Sequence, residues 1–158
     1  MKFPIVNTKN FVLRKLRNED LEDFLEVSYY NGRKANNVRQ AREVMLRIEN
    51  DFFRGESIHW AIAEKKGDKL VGSCGFYHAV AKLETEVGFA VVEAKQNQGI
   101  MSEVLPEMLK FCGKSLTFET IFAVTESSNA PSLALIKKCG FVFNKKLKQN
   151  CDQYKINF

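Results

Sequence analysis

The sequence predicts an α/β protein with a mixed central sheet of about six to seven strands and helices on both faces. Its 158 residues suffice for one domain, which we expect to span residues 1–158. Segments with the period of a strand alternate with segments of helical period in the order β-α-α-β-β-β-α-β-α-β-β. No internal repeat or low-complexity stretch interrupts them. Such an order places helices on the faces of a sheet and ligands beyond the strand ends.

The N-terminal third predicts one strand followed by two helices. Phe11 to Leu16 is a short β-prone run, and Asn18 with the acidic residues after it favours a helix start. We expect Asn31-Gly32 to end this first helix. A second helix is predicted from Val38 to Phe52, because apolar residues recur there at gaps of three and four.

The remainder of the chain predicts six strands and two helices. A hairpin turns at Lys66-Gly67-Asp68, a further strand runs into a polar loop, and a helix follows Gly99. The predicted strands are Ile58–Ala63, Leu70–Tyr77, Glu86–Val92, Ile121–Val124, Phe141–Leu147 and Gln153–Phe158, and a last helix runs from Asn129 to about Cys139.

Composition excludes several classes of protein. The net charge of +5 comes from scattered Lys and Arg without a dense block or a nucleic-acid-binding motif, so we expect a solvated surface and no nucleic-acid partner. No apolar run could span a bilayer and no export signal is recognisable, so the cytoplasm is the expected location. Four widely spaced cysteines, with only His59 and His78 to join them, predict no metal site.

The segment from Val91 to Met101 has the character of an anion-binding site. A strand passes through a polar loop with one glycine into an amphipathic helix. The first backbone N–H groups of a helix lack intrahelical partners and the dipole there is positive, so phosphate oxygens can be held without charged side chains. Gly99 lets the backbone approach a phosphate closely. Neither a Walker loop nor a G-x-G-x-x-G fingerprint is present.

Three motifs in the same order resemble the GNAT acetyltransferase superfamily. Residues 96–101, Gln-Asn-Gln-Gly-Ile-Met, are similar to its Q/R-x-x-G-x-G/A pyrophosphate loop. Residues 129–141 resemble the N-x-x-S...K-x-G-F segment that follows the family's fifth strand. The run Leu13 to Arg17 with Asp20 resembles the start of its ribosomal-protein N-terminal acetyltransferase branch. The resemblance implies a GNAT fold, acetyl-CoA as cosubstrate and a primary amine as acceptor, either a protein N-terminus or a small amine.

Two positions depart from the family pattern. Met101 stands where Gly or Ala is usual, and Ile136 stands where many members place a tyrosine that protonates the departing thiolate. A tyrosine acid at that position is therefore excluded. These departures leave open a second function, a GNAT-fold module that binds acyl-CoA or a partner with little or no turnover.

By resemblance, the cosubstrate is held by the loop and by neighbouring backbone. The implied cofactor-binding residues are Val91, Val92, Gln96, Asn97, Gln98, Gly99, Ile100, Met101 and Asn129. The Val91 and Val92 amides would hold the pantetheine and the carbonyl oxygen, whereas Asn129 could contact coenzyme or only cap its helix.

The resemblance also suggests catalytic and acceptor residues. Glu86 is the candidate general base, with Glu84 on the same face as competitor. Ser132 replaces the absent tyrosine as a thiolate partner, or is a structural hydroxyl. The residues Tyr29, Tyr30 and Asn31, predicted at the end of the first helix, would line the acceptor slot or serve only in packing, and the sequence does not decide between the two. A homodimer is possible, and the sequence does not decide the oligomeric state.

Overall fold

The computed structural model describes residues 2–77 and 83–158. The strands are β1 (Val6–Asn7), β2 (Phe11–Arg14), β3 (Tyr29–Tyr30), β4 (Arg33–Lys34), β5 (Ile58–Glu64), β6 (Leu70–Tyr77), β7 (Glu84–Val91), β8 (Thr120–Glu126), β9 (Val142–Lys146) and β10 (Cys151–Asn157). The helices are α1 (Leu21–Leu25), α2 (Val38–Phe53), α3 (Ile100–Ser115) and α4 (Ala130–Lys138). No helix in the described ranges is long and apolar enough to cross a membrane.

The main sheet is mixed, as predicted, and has eight strands in the order β1-β2-β5-β6-β7-β8-β10-β9. Neighbouring strands are antiparallel except β7 and β8, which are parallel. The strand beyond the predicted six to seven is β1, whose two residues pair with Val12 and Leu13. Two residues are too short to give a periodic signal, so the sequence could not reveal this strand.

Helices cover both faces of the sheet, which confirms the predicted arrangement. Alternate residues of β5 point to opposite faces: Trp60 and Ile62 pack in the core formed with α3, whereas Ala61 packs in the core formed with α1 and α2. All three side chains are fully buried. Truncating Ile62 to Ala would cost about 2–5 kcal/mol of stability, as is usual for a buried aliphatic side chain.

The prediction that Asn31-Gly32 ends the first helix is wrong. Helix α1 ends at Leu25, and Asn31-Gly32 instead forms the turn of a hairpin between β3 and β4. Both residues have positive φ, 52° for Asn31 and 76° for Gly32. Asn-Gly is the preferred pair for such a two-residue turn, and here that local preference outweighs helix termination. The hairpin forms a small sheet separate from the main one.

The second helix and the later strands and helices are confirmed with boundaries within about two residues of those predicted. Asn37, which the sequence analysis did not single out, caps α2 by accepting a hydrogen bond from the Gln40 N–H at 2.9 Å. Gly55 follows α2 with a φ of 72°.

The segment from Leu13 to Asp20 contains a buried ion pair that ties β2 to the rest of the fold. Arg14 donates two hydrogen bonds to the Asp20 carboxylate, at 2.8 and 2.9 Å, and two to Asp68, at 2.8 Å to the carboxylate and 3.1 Å to the backbone carbonyl. The hydrogen bond with Asp20 raises the pKa of the Arg14 guanidinium despite its burial. The segment therefore anchors β2 to the start of α1 and to the β5–β6 turn.

Candidate active site

The site begins where the two parallel strands separate. Strands β7 and β8 are paired only from Glu84 opposite Thr120 to Val87 opposite Ala123. Beyond that point β7 continues against β6, and β8 continues against β10. A wedge-shaped gap thus opens at the carboxyl ends of the parallel strands, the position at which sheets of this kind bind ligands.

A cavity of about 980 Å³ occupies this gap. On one side it is lined by α4 and the residue that caps it, and on the other by the β3–β4 hairpin and by side chains of β6 and β7. Its lining therefore includes residues from both faces of the sheet. Six of the residues predicted for the site line it: Glu86, Ser132, Asn129, Tyr29, Tyr30 and Asn31.

The predicted pyrophosphate loop lies outside the lining of this cavity, at the start of α3. Asn97 and Gly99 both have left-handed backbone, with φ of 62° and 77°. The first intrahelical hydrogen bond runs from the Glu103 N–H to the Gly99 carbonyl, at 3.2 Å. The amides of residues 100–102 consequently have no intrahelical acceptor, and no side chain caps this helix. Such an uncapped N-terminus can hold a phosphate.

Side chains of the loop brace it from within. The side-chain amide of Gln96 donates to the Val91 carbonyl at 3.0 Å, and that of Gln98 donates to the Ala94 carbonyl at 3.2 Å. The carboxylate of Glu26, just after α1, accepts a hydrogen bond from the Glu93 N–H. These contacts fix the loop, and the backbone amides at the start of α3 are then the groups that an anion could contact.

The side chains of Ile100 and Met101 are turned into the core, with 5% and 8% of their surface exposed. The Met101 side chain therefore packs in the core and does not occupy the space above the start of α3. Gly99 has no atom within 4 Å of the position of a Cβ, so that space is open.

Of the two amides predicted to face the cosubstrate, one is used by the sheet. The Val92 N–H donates to the Val71 carbonyl at 2.9 Å. Because successive residues of a strand direct their N–H groups to opposite sides, the Val91 N–H is directed away from β6, toward the gap. Strand β8 no longer pairs with β7 at this level.

The two candidate bases occupy different environments. Glu86 lines the cavity and lies opposite Tyr77 on β6 and Phe122 on β8. Glu84 shares its face of β7 but is exposed at the start of the strand, where it pairs with Thr120. Position alone therefore favours Glu86.

The start of α4 combines a capping residue with a hydroxyl at the cavity. The Asn129 side-chain oxygen accepts a hydrogen bond from the Ser132 N–H at 3.2 Å, so Asn129 caps this helix. Ser132 lines the cavity one turn before Ile136, which is buried and also lines it. A hydroxyl thus stands near the apolar residue that replaces the family's tyrosine.

The hairpin wall is anchored through Tyr30. This side chain is buried, and its hydroxyl bonds to Asp51 at 2.5 Å and to Ser57 at 2.8 Å. Burial, with the Asp51 hydrogen bond, raises the pKa of the Tyr30 hydroxyl. Tyr29 is exposed and Asn31 lies at the turn, so both are placed at the mouth of the cavity.

Sequence reasoning missed a third tyrosine in the cavity wall, next to Tyr29 and Tyr30. Tyr77 lines the cavity, and its hydroxyl lies 2.5 Å from Nδ1 of His59. Burial lowers the pKa of His59 to about 3 and raises that of Tyr77, so both are neutral at pH 7. In the sequence, His59 stood out only as a residue that could join the cysteines in a metal site. No metal-binding cluster occurs in residues 2–77 or 83–158, and His78 lies outside them.

The chain belongs to the GNAT acetyltransferase family: the family described as Acetyltransferase (GNAT) domain matches residues 10–142. It is 27% identical to the uncharacterized N-acetyltransferase YoaA of Bacillus subtilis (strain 168), over 98% of this chain and 94% of that protein.

Two solved structures share the fold. One is the acetyltransferase from Salmonella typhimurium that modifies the N-terminal serine of ribosomal protein L7/L12, with a TM-score of 0.82, 15% identity, and coverage of 98% of this chain and 99% of that one. The other is the Microcin C7 self immunity acetyltransferase MccE, solved with acetyl-CoA and AMP, with a TM-score of 0.77, 15% identity, and coverage of 95% and 93%.

The predicted GNAT membership and α/β fold are thus confirmed, and the protein is an acetyltransferase that uses acetyl-CoA as cosubstrate.

Proposed function

We propose that the protein transfers the acetyl group of acetyl-CoA to a primary amine by direct attack within a ternary complex. The supporting observation is one cavity at the gap between β7 and β8 whose lining combines the β3–β4 hairpin on one face of the sheet with α4 on the other. Acetyl-CoA bound at the α3 and α4 side would present its thioester to an amine bound at the hairpin side. Holding both reactants in this geometry supplies much of the rate.

A covalent acetyl-enzyme is not required by this arrangement. None of the four cysteines is among the described residues that line the cavity. Cys74, the cysteine of the adjacent strand β6, is fully buried, and burial raises the pKa of its thiol. A thiol in that state is a poor nucleophile.

The proposed reaction assigns three groups to the acetyl transfer. The Val91 N–H, directed toward the gap, would donate to the thioester carbonyl oxygen as negative charge develops there. Glu86 would take a proton from the acceptor ammonium, directly or through water. The Ser132 hydroxyl would donate to the sulfur of the departing coenzyme A.

The charges of the cavity favour a cationic acceptor. Among the described residues of its lining, the charged side chains are Glu86 and Glu126, both carboxylates. Such a site attracts an ammonium group and repels an acceptor that carries a carboxylate or phosphate next to the amine. A protein N-terminus or a small alkyl amine fits this requirement. The Salmonella typhimurium neighbour modifies an N-terminal serine, which adds weight to the first.

Further parts of the proposal concern the whole chain. We take residues 1–158 to act as one acetyltransferase domain. Four unpaired thiols and the need for acetyl-CoA support a cytoplasmic location. The possible homodimer remains a prediction that light scattering would test.

The direct test is release of free coenzyme A thiol from acetyl-CoA in the presence of a panel of alkyl amines, polyamines and peptides with free N-termini. We expect release with at least one cationic acceptor, and mass spectrometry should show the acetylated product. Peptides with blocked N-termini and no lysine are the matched controls. Binding of acetyl-CoA without release for any acceptor would instead support the alternative, a GNAT-fold acyl-CoA-binding module.

A further inference from the structure

The ring of Tyr77 packs against two glycines at the point where strands β7 and β8 separate. Gly75 on β6 and Gly88 on β7 are cross-strand partners, and Gly88 is the first residue of β7 beyond its pairing with β8. A Cβ on Gly88 would stand 2.9 Å from Cε2 of Tyr77, whereas a Cβ on Gly75 would meet the Ile58 carbonyl oxygen at 2.3 Å and the Tyr77 hydroxyl oxygen at 2.8 Å. The tyrosine ring therefore fills the space that a side chain at position 88 would otherwise take, and it also contacts the space next to Gly75.

The far end of the ring is fixed by His59. The tyrosine hydroxyl and Nδ1 of His59 are 2.5 Å apart, and His59 is 1% exposed. Tyr30, whose own hydroxyl is bound by Asp51 and Ser57, packs edge-on against both rings, with centroid distances of 5.8 Å. Three mutually packed rings thus hold Tyr77 in one orientation.

Tyr77 also occupies the acceptor side of the cavity. It is the β6 partner of Glu86, the proposed base, and both residues line the cavity together with the hairpin. An amine bound next to Glu86 on this side therefore shares the cavity with the tyrosine ring. The ring face can also attract the acceptor ammonium through its π-electrons.

We propose that Tyr77 is a positioning residue that sets the depth of the acceptor side and thereby selects acceptors by size, with His59 holding its ring in place. The inference rests on the proposed function, because it assigns the hairpin side of the cavity to the acceptor amine. It makes no demand on the cosubstrate side, since Tyr77 packs in the core with α1 and α2, whereas Ile100 and Met101 at the start of α3 pack in the core on the other face of the sheet.

The test measures binding, so that it does not depend on turnover. Dissociation constants of propylamine, benzylamine and naphthylmethylamine are measured by calorimetry on protein saturated with coenzyme A. In the Tyr77→Ala variant we expect the affinity ratio of naphthylmethylamine to propylamine to rise about tenfold or more, because a hydrophobic pocket discriminates by roughly 10- to 200-fold for a single methylene. Coenzyme A affinity should stay within about twofold.

Two further variants separate positioning from general stability. Tyr77→Phe keeps the ring and should keep most of the size selectivity. Gly88→Ala should weaken amine binding about fivefold by displacing the ring, and the same change in the Tyr77→Ala background should have almost no effect. Such non-additivity is expected only when the two residues act through contact with each other.

Several results would overturn the inference. An unchanged affinity ratio in Tyr77→Ala, additive effects of the two substitutions, or failure of all three amines to bind the unmodified protein would each do so. Should Tyr77→Ala not fold, the same comparison with Tyr77→Leu and with Gly88→Ala alone decides the question. Normal amine binding without any thiol release would instead contradict the proposed function and leave the role of Tyr77 intact.

Discussion

The two sides of the cavity are built from different parts of the polypeptide. On the proposed cosubstrate side, the groups available for contact are backbone amides of β7 and, outside the cavity lining, of the start of α3, where glutamine side chains brace the loop. On the acceptor side, the wall consists of side chains from the hairpin, β6 and β7. A site built from backbone amides tolerates a different side chain, such as the methionine at 101 in place of the usual Gly or Ala. Each substitution in the acceptor wall, by contrast, alters the shape and charge of that wall.

The largest effect is expected at the loop. Gly99→Asp should weaken acetyl-CoA binding about 100-fold or more, because the new carboxylate would face the phosphates and like charges in contact cost several kcal/mol. Gly55→Asp is the matched control, since Gly55 has a similar φ of 72° and equally open surroundings but follows α2. Calorimetry on both folded variants makes the comparison. Equal affinities would remove the loop from the cosubstrate site.

Glu86→Gln should separate chemistry from binding. We expect turnover to fall by about 100-fold, the usual contribution of a positioned general base, while acetyl-CoA affinity stays unchanged. Glu84→Gln is the control, because Glu84 lies on the same face of β7 but is exposed. Steady-state rates of the Glu86→Gln and Glu84→Gln variants with one acceptor make the comparison. Wild-type turnover in Glu86→Gln would mean that another group, or solvent, takes the proton.

The acceptor wall should also be the acid-sensitive part of the protein. His59 has a folded pKa of about 3 because it is buried, against about 6.5 when unfolded. Between these values the unfolded chain binds a proton that the folded protein excludes, so the free energy of unfolding decreases as the pH falls. From pH 7 to 5 the expected loss is about 2 kcal/mol.

Urea unfolding at a series of pH values measures this loss. Replacing the only other histidine, His78, by Gln in every sample removes its titration from the comparison. Adding His59→Gln should then flatten the pH dependence above pH 5. A slope that His59→Gln leaves unchanged would show that the imidazole does not control it.

The smallest expected effect is at Ser132. Ser132→Ala should lower turnover by less than about tenfold, since a thiol is already a fair leaving group and a single neutral hydrogen bond contributes about 1 kcal/mol. Acetyl-CoA affinity should not change. A loss as large as that of Glu86→Gln would assign Ser132 a larger share of the chemistry than the proposal gives it.

The difference between the two sides also explains what the sequence could predict. The loop is one continuous segment, so its glycine, its polar residues and the helix after it were visible together. The acceptor wall is assembled from the hairpin, Tyr77 and Glu86, which are far apart in the chain. Its hairpin was mistaken for a helix end because Asn-Gly suits both structures.

Other features lay beyond sequence reasoning for the same physical reason. The contact of Tyr77 with His59 and the glycine pair depends on the register of three neighbouring strands, which periodicity does not specify. The burial of Asp20 against Arg14 likewise requires the fold, although both residues belonged to a segment recognised by resemblance. By contrast, the helices and long strands followed from their apolar periods.

The central claim is that acetyl-CoA and the acceptor meet in one cavity from opposite faces of the sheet. Initial rates measured over a grid of acetyl-CoA and amine concentrations test it most directly. Direct transfer in a ternary complex predicts double-reciprocal lines that intersect. Parallel lines, together with an acetylated protein isolated after incubation with acetyl-CoA alone, would show a covalent intermediate and contradict the account.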